Sequence, residues 1–160
     1  MEKNFNKILL AILAFSILSI FSAYFIEYVL GHKPCKLCLY QRYPYFVSVF
    51  LILNILVLKK YVKLTLLTLA LVSFFGSAIA FYHFGIEQGF FNEALICEAK
   101  NFDNNLSKEE LLKNLKENTI SCKTVTFRVF GLSLASINTI LSFILFGIFT
   151  RLYTNYERNK

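Results

Sequence analysis

Charge is what most of this 160-residue chain lacks. Tyr43 to Leu58, Leu64 to Phe84 and Phe130 to Phe149 contain no Asp, Glu, Lys or Arg, and Ile8 to Leu30 contains one, Glu27. Apolar runs of that length exclude a soluble core and suit helices crossing roughly 30 Å of hydrocarbon. The run from Tyr43 is short for a span and becomes adequate if Cys38 to Arg42 forms its first turn, with Arg42 snorkelling outward. No A-x-A site closes the first run, which is also longer than a usual signal-peptide core, so it reads as a retained helix. No stripe of basic residues accompanies the net charge of +7, which argues against nucleic acid as a partner. There is no internal repeat, no low-complexity tract and no tryptophan.

What is there is apolar. Hydrophobic residues make up 56% of the chain and the mean hydropathy is +0.55, above the roughly 45–50% of soluble proteins. In lipid the backbone must satisfy its own hydrogen bonds, so the runs must be helical. The expectation is an all-α membrane protein, a four-transmembrane-helix bundle in one domain over 1–160. Its spans lie at about 8–30, 40–58, 64–84 and 130–149, with loops at about 31–39 and 85–129 on one face. Lys59, Lys60 and Lys63 bracket a short turn, as positive charge does on the cytoplasmic side. The termini and that turn carry eight Lys and Arg against nine on the other face, a tie that only charge density breaks.

In the long loop, Ser107-Lys108-Glu109-Glu110 forms a capping box ahead of Leu111, Leu112 and Leu115, with Leu106 placed as a staple. This reads as a short amphipathic helix, either on the membrane surface or in a solvated linker. Gly76, Ala80, Gly131, Ala135 and Gly147 read as sites of close helix packing.

Four cysteines lie outside the apolar spans: Cys35 and Cys38 as a C-x-x-C in the first loop, Cys97 and Cys122 flanking the capped helix in the third. First and third loops share a face, so all four thiols meet in one compartment. Three readings compete. Two structural disulfides explain Cys97 and Cys122 well, because closing a long loop removes chain entropy. They explain Cys35 and Cys38 poorly, since so short a closure restrains little. A four-cysteine zinc site lacks the second C-x-x-C. Dithiol exchange between the pairs suits the C-x-x-C best, and no metal is expected. Gln41 and Arg42 follow Cys38 where the second span begins, and a cation with a helix N-terminus lowers a thiol pKa. Pro44 suits a first helical turn but disfavours helical geometry at Tyr43.

The stretch Pro34-Cys35-Lys36-Leu37-Cys38-Leu39-Tyr40-Gln41-Arg42-Tyr43-Pro44 resembles the signature of the bacterial disulfide bond formation protein B family (DsbB). Tyr82-His83-Phe84-Gly85-Ile86-Glu87 and the run from Phe127 to Ala135 agree with it, and the resemblance covers essentially the whole chain. The missing tryptophan departs from relatives with aromatic anchors in the third loop, where Phe90 and Phe91 stand in. The resemblance implies a thiol oxidase of the bacterial inner membrane with its cysteines facing the periplasm. A reduced DsbA-like thioredoxin-fold oxidase would attack Cys97 of a Cys97–Cys122 disulfide. Cys122 would then engage Cys35, and Cys38 would pass electrons to ubiquinone or menaquinone beside Arg42.

His83, at the loop end of the third span, reads either as a quinone-binding residue or as an interfacial histidine. Glu87 lies one turn on, placed to orient it, and His32 has no assigned role. The vitamin K epoxide reductase family has a similar topology, but its loop pair precedes its C-x-x-C, the reverse of the order here. The non-enzymatic alternative is a small disulfide-stapled membrane scaffold.

Overall fold

The structure is a computed structural model that describes residues 2–92, 121–123, 127–129 and 131–158. Cys97 and the capping-box helix around Ser107 lie outside the described residues. Four helical segments are long and apolar enough to cross a membrane: Asn4–Tyr28, Lys36–Leu58, Val62–Glu87 and Leu134–Arg158. The first lies in α1 (Glu2–Tyr28) and the second is split into α2 (Lys36–Tyr40) and α3 (Tyr43–Leu58). The third is α4 (Val62–Glu87). A two-residue hairpin, β1 (Arg128–Val129) with β2 (Leu132–Ser133), precedes the last helix, α5 (Leu134–Arg158). The chain is therefore a helical multi-pass membrane protein.

The lipid-facing surface explains why so apolar a chain folds with so many large side chains outside. Phe21, Phe50 and Phe75 are each more than 60% exposed, an arrangement that water would punish and hydrocarbon tolerates. Packing inside relies on small residues. α4 packs most extensively along α5, and Ser73, Gly76, Ser77 and Ala80 of α4 and Ala135 and Ser142 of α5 are buried. A Cβ on Gly76 would meet Pro44 of α3 at 3.1 Å, so the α3–α4 approach depends on its absence. Two glycines expected at helix contacts do other things. Gly131 turns the hairpin at φ +84, and Gly147 has no atom within 4 Å of where its Cβ would stand.

The core divides into two clusters. One, around Leu9, Ile52, Leu66, Leu69 and Phe149, fills the end of the bundle closed by the tight α3–α4 turn. That turn places Lys59 and Tyr61 at positive φ (50° and 55°), conformations that cost a non-glycine residue about 1–2 kcal/mol each. The other cluster joins Cys35, Leu37, Ile86 and Cys122. Along α4, Ile86 stands 17 residues beyond Leu69, about 25 Å at the rise of an α-helix. The cysteine chemistry thus occupies the end opposite the lysine-rich turn.

Candidate functional site

The C-x-x-C occupies its own short helix. Cys35 is the N-cap of α2, extended at φ −72° and ψ 168°, and its sulfur accepts the Cys38 backbone N–H at 3.2 Å. The α2 segment stops at Tyr40, and α3 restarts at Tyr43 with Pro44 in its first turn. Pro44 has no N–H to lose there, so the break falls at Gln41–Arg42 rather than at Tyr43. The expected first turn of the span is present within Lys36–Leu58, set off from α3 by a hydrogen-bonded turn at Gln41–Arg42.

The two sulfurs of the motif are 2.7 Å apart and unbonded, an approach from which oxidation to a disulfide needs little further movement. Cys35 is buried, and its thiol pKa falls from 9.0 to about 5. The Cys38 sulfhydryl donating to its sulfur is the largest cause; burial opposes the shift, and His83 and the Cys38 N–H assist it. The Cys38 N–H and His83 thus favour negative charge on the Cys35 sulfur of the reduced pair.

His83 of α4 is 2% exposed, a buried ring rather than a wet interfacial one. Its Nε2 lies 3.5 Å from Cys35 Sγ and 3.7 Å from Glu87 Oε1, and its Nδ1 lies 3.0 Å from Gln41 Nε2. Glu87 is one turn further along the same helix and accepts the Ser133 hydroxyl from β2. Cys122, 1% exposed, is disulfide-bonded. One donor atom each from Cys35, His83 and Cys122 falls within 4.8 Å of the others. Such a trio is of metal-ligand type, but a sulfur spent in a disulfide offers no thiolate to a metal, and the arrangement suits sulfur exchange better.

Cys38 packs against the same cluster and also reaches a second environment. It lines a cavity of about 360 Å³ between α1, α2, α3 and α5, together with Gln41, Arg42, Tyr45 and Asn138, and with apolar walls such as Phe15 and Leu141. Small-molecule sites of this kind are mostly apolar with a few placed polar groups. Arg42 does not snorkel outward as expected. It donates to Glu27 of α1 at 2.5 Å, its guanidinium 4.9 Å from the centroid of the Tyr24 ring. A charge at this depth is cheaper paired than reaching for water past two helices. His83 is not among the cavity-lining residues. Sequence reading assigned no role to Glu27, Gln41, Tyr45 or Asn138. The available signal was that each is a polar group within or beside an apolar run.

Comparison with known proteins agrees with this geometry. An uncharacterized protein of Rickettsia prowazekii (strain Madrid E) is 26% identical over 162 residues, covering 99% of this chain and 94% of that protein. The profile of the disulfide bond formation protein DsbB family matches residues 5–152, which reaches into all four spans and takes in all four cysteines. This chain, a four-span bundle with a C-x-x-C at one end beside the disulfide-bonded Cys122, thus belongs to the disulfide bond formation protein DsbB family.

Proposed function

We propose that this protein reoxidises a DsbA-like thioredoxin-fold dithiol protein and delivers the electrons to a membrane quinone, as a dithiol:quinone oxidoreductase of the bacterial inner membrane. The observation carrying this reading is that the two sulfurs of one C-x-x-C face different surroundings. Cys35 stands within 4.8 Å of Cys122 and His83, and Cys38 stands in the wall of the cavity.

The exchange balances as follows. The partner's thiolate attacks Cys97, the Cys97–Cys122 bond breaks, and Cys122 leaves as a thiolate. The partner's second thiol then resolves the mixed disulfide, so the partner departs oxidised and Cys97 is released. Cys122 attacks Cys35 of an oxidised Cys35–Cys38 pair, and Cys38 leaves as a thiolate into the cavity. Cys97 then closes back on Cys122, releasing Cys35. The Cys35–Cys38 pair re-forms its disulfide by giving up two electrons and two protons, for which a quinone held in the cavity would be the acceptor. Volume and lining fit such a group, with apolar walls for the ring and Arg42 as a donor to a carbonyl oxygen. Glu27 and Tyr24 hold that guanidinium in place. His83 and the Cys38 N–H stabilise Cys35 as the thiolate leaving group. In this reading the cysteines face the periplasm, where a strongly oxidising partner needs a quinone-driven sink.

The test is oxidation of a reduced thioredoxin-fold oxidase by purified protein, with short-chain ubiquinone or menaquinone analogues as acceptor. One quinol should appear per disulfide formed. Cys38→Ser should retain a mixed disulfide with the partner but form no quinol, and Cys97→Ser should not react with the partner. No quinol from the wild-type protein, with the Cys→Ser variants lowering stability alone, would establish the stapled scaffold instead.

A further inference from the structure

Four side chains from three spans join in a hydrogen-bonded row that the electron route leaves unused. The Tyr45 hydroxyl of α3 donates to Asn138 Oδ1 of α5 at 2.6 Å. Asn138 Nδ2 donates to Gln41 Oε1 at 2.8 Å, and Gln41 Nε2 reaches His83 Nδ1 at 3.0 Å. Gln41 is 8% exposed, Tyr45 9% and His83 2%, so little water competes for these groups. A carboxamide accepts at one end and donates at the other, which gives the row a direction. With Tyr45 donating, Asn138 donates onward to Gln41, and Gln41 donates to His83. Nδ1 then accepts, and the single proton of the neutral ring sits on Nε2.

That polarity is the one the other side of the ring requires. Nε2 faces Cys35 Sγ at 3.5 Å and Glu87 Oε1 at 3.7 Å. Reversing the row would put the ring proton on Nδ1 and turn a lone pair toward a thiolate and a carboxylate. In the direction described, both meet an N–H. We propose that Gln41, held by Asn138 and Tyr45, is a positioning residue that fixes His83 as the Nε2–H tautomer, aiming its proton at the Cys35 sulfur. The use made of the Cys35 thiolate rests on the proposed oxidase function; the tautomer itself does not.

The chain has two histidines, His32 and His83, so histidine-selective ¹⁵N labelling in detergent gives two imidazole patterns, assigned with His83→Asn. At a pH where the ring is neutral, wild-type His83 should show an unprotonated Nδ1 and a protonated Nε2. Gln41→Leu removes the donor and should give mixed tautomers. Gln41→Glu is close to isosteric and presents an acceptor-only carboxylate, which should move a proton onto Nδ1. The pH midpoint for alkylation of Cys35 in the reduced Gln41→Leu protein should rise above that of the wild type. A wild-type ring protonated on Nδ1, or the wild-type pattern persisting in Gln41→Glu, overturns the assignment, and the wild-type spectrum decides even if a variant fails to fold. Absence of quinone-linked turnover together with the Nε2–H tautomer would instead sink the oxidase reading and leave this assignment standing.

Discussion

At the scale of single residues, the ion pair between Arg42 and Glu27 changes what mutation should do. Both side chains are mostly buried, at 13% and 21% exposure, so removing either leaves the other poorly compensated. Arg42→Ala should raise the quinone KM tenfold or more, of the order expected for a lost charge-assisted hydrogen bond of about 1.5–3 kcal/mol. Arg42→Lys should raise it less, because charge survives and the planar fork does not. Glu27→Gln should also raise it, by releasing the guanidinium, with the exchange step at Cys97 unaffected in all three. Steady-state oxidation of the partner at varied quinone measures each, and an unchanged KM in Arg42→Ala would reduce that residue to a helix tether. Cys35 makes a second prediction. Its pKa, lowered from 9.0 to about 5, favours the folded reduced state fully above pH 9, and that contribution fades as pH falls toward 5. Alkylation of Cys35 by iodoacetamide should therefore be nearly flat from pH 7 to 9 and fall as pH drops through about 5. A midpoint near 9 would contradict the buried thiolate.

Helix contacts carry the next scale. Gly76 of α4 lies under Pro44 of α3, with 3.1 Å from its absent Cβ to the ring. Gly76→Val should destabilise the protein by about 1–3 kcal/mol, the usual cost of overpacking, read as a lowered Tm in detergent. Because Pro44 lies two residues beyond Arg42 in the chain, the same variant should weaken quinone use. An unaltered Tm would show that α3 and α4 can separate freely. Gly85 is tighter still: an added Cβ would fall 2.1 Å from the Phe91 ring, which folds back over the end of α4 through Phe91 N–H to Gly85 O at 3.2 Å. The family-like Tyr82-to-Glu87 stretch was readable in the sequence, yet the reason for its glycine was not. That reason is a ring arriving from the following turn, which no local pattern announces.

For the molecule as a whole, the two ends of the bundle differ in kind. One end is an apolar core under a lysine-rich turn, with an exposed Lys63–Glu157 pair at 2.5 Å worth little in water. The other gathers the sulfurs. The proposed orientation, sulfur end in the periplasm and Lys59–Lys63 turn in the cytoplasm, predicts that an impermeant maleimide labels Cys35, Cys38, Cys97 and Cys122 in reduced intact spheroplasts. A cysteine placed at Lys60 should label only after lysis. Labelling of a single loop pair would break the four-span topology.

The sequence by itself determined the four spans and the grouping of the cysteines on one face. Uncharged apolar runs in lipid have only helix available, and alternate loops of a four-span chain must share a side. The C-x-x-C, Arg42 and His83 were likewise visible as residue types in place. Only the tertiary structure decided what each one touches. Gln41 meets His83 across 42 positions and Asn138 across 97, Arg42 turns inward to Glu27, and Cys35 and Cys38 divide between Cys122 and the cavity. Hydropathy is a local, one-dimensional signal and says nothing of how far each helix is rotated about its axis. Close contacts such as Gly76 against Pro44 set those rotations, and the rotations choose the partner of every polar side chain inside the bundle.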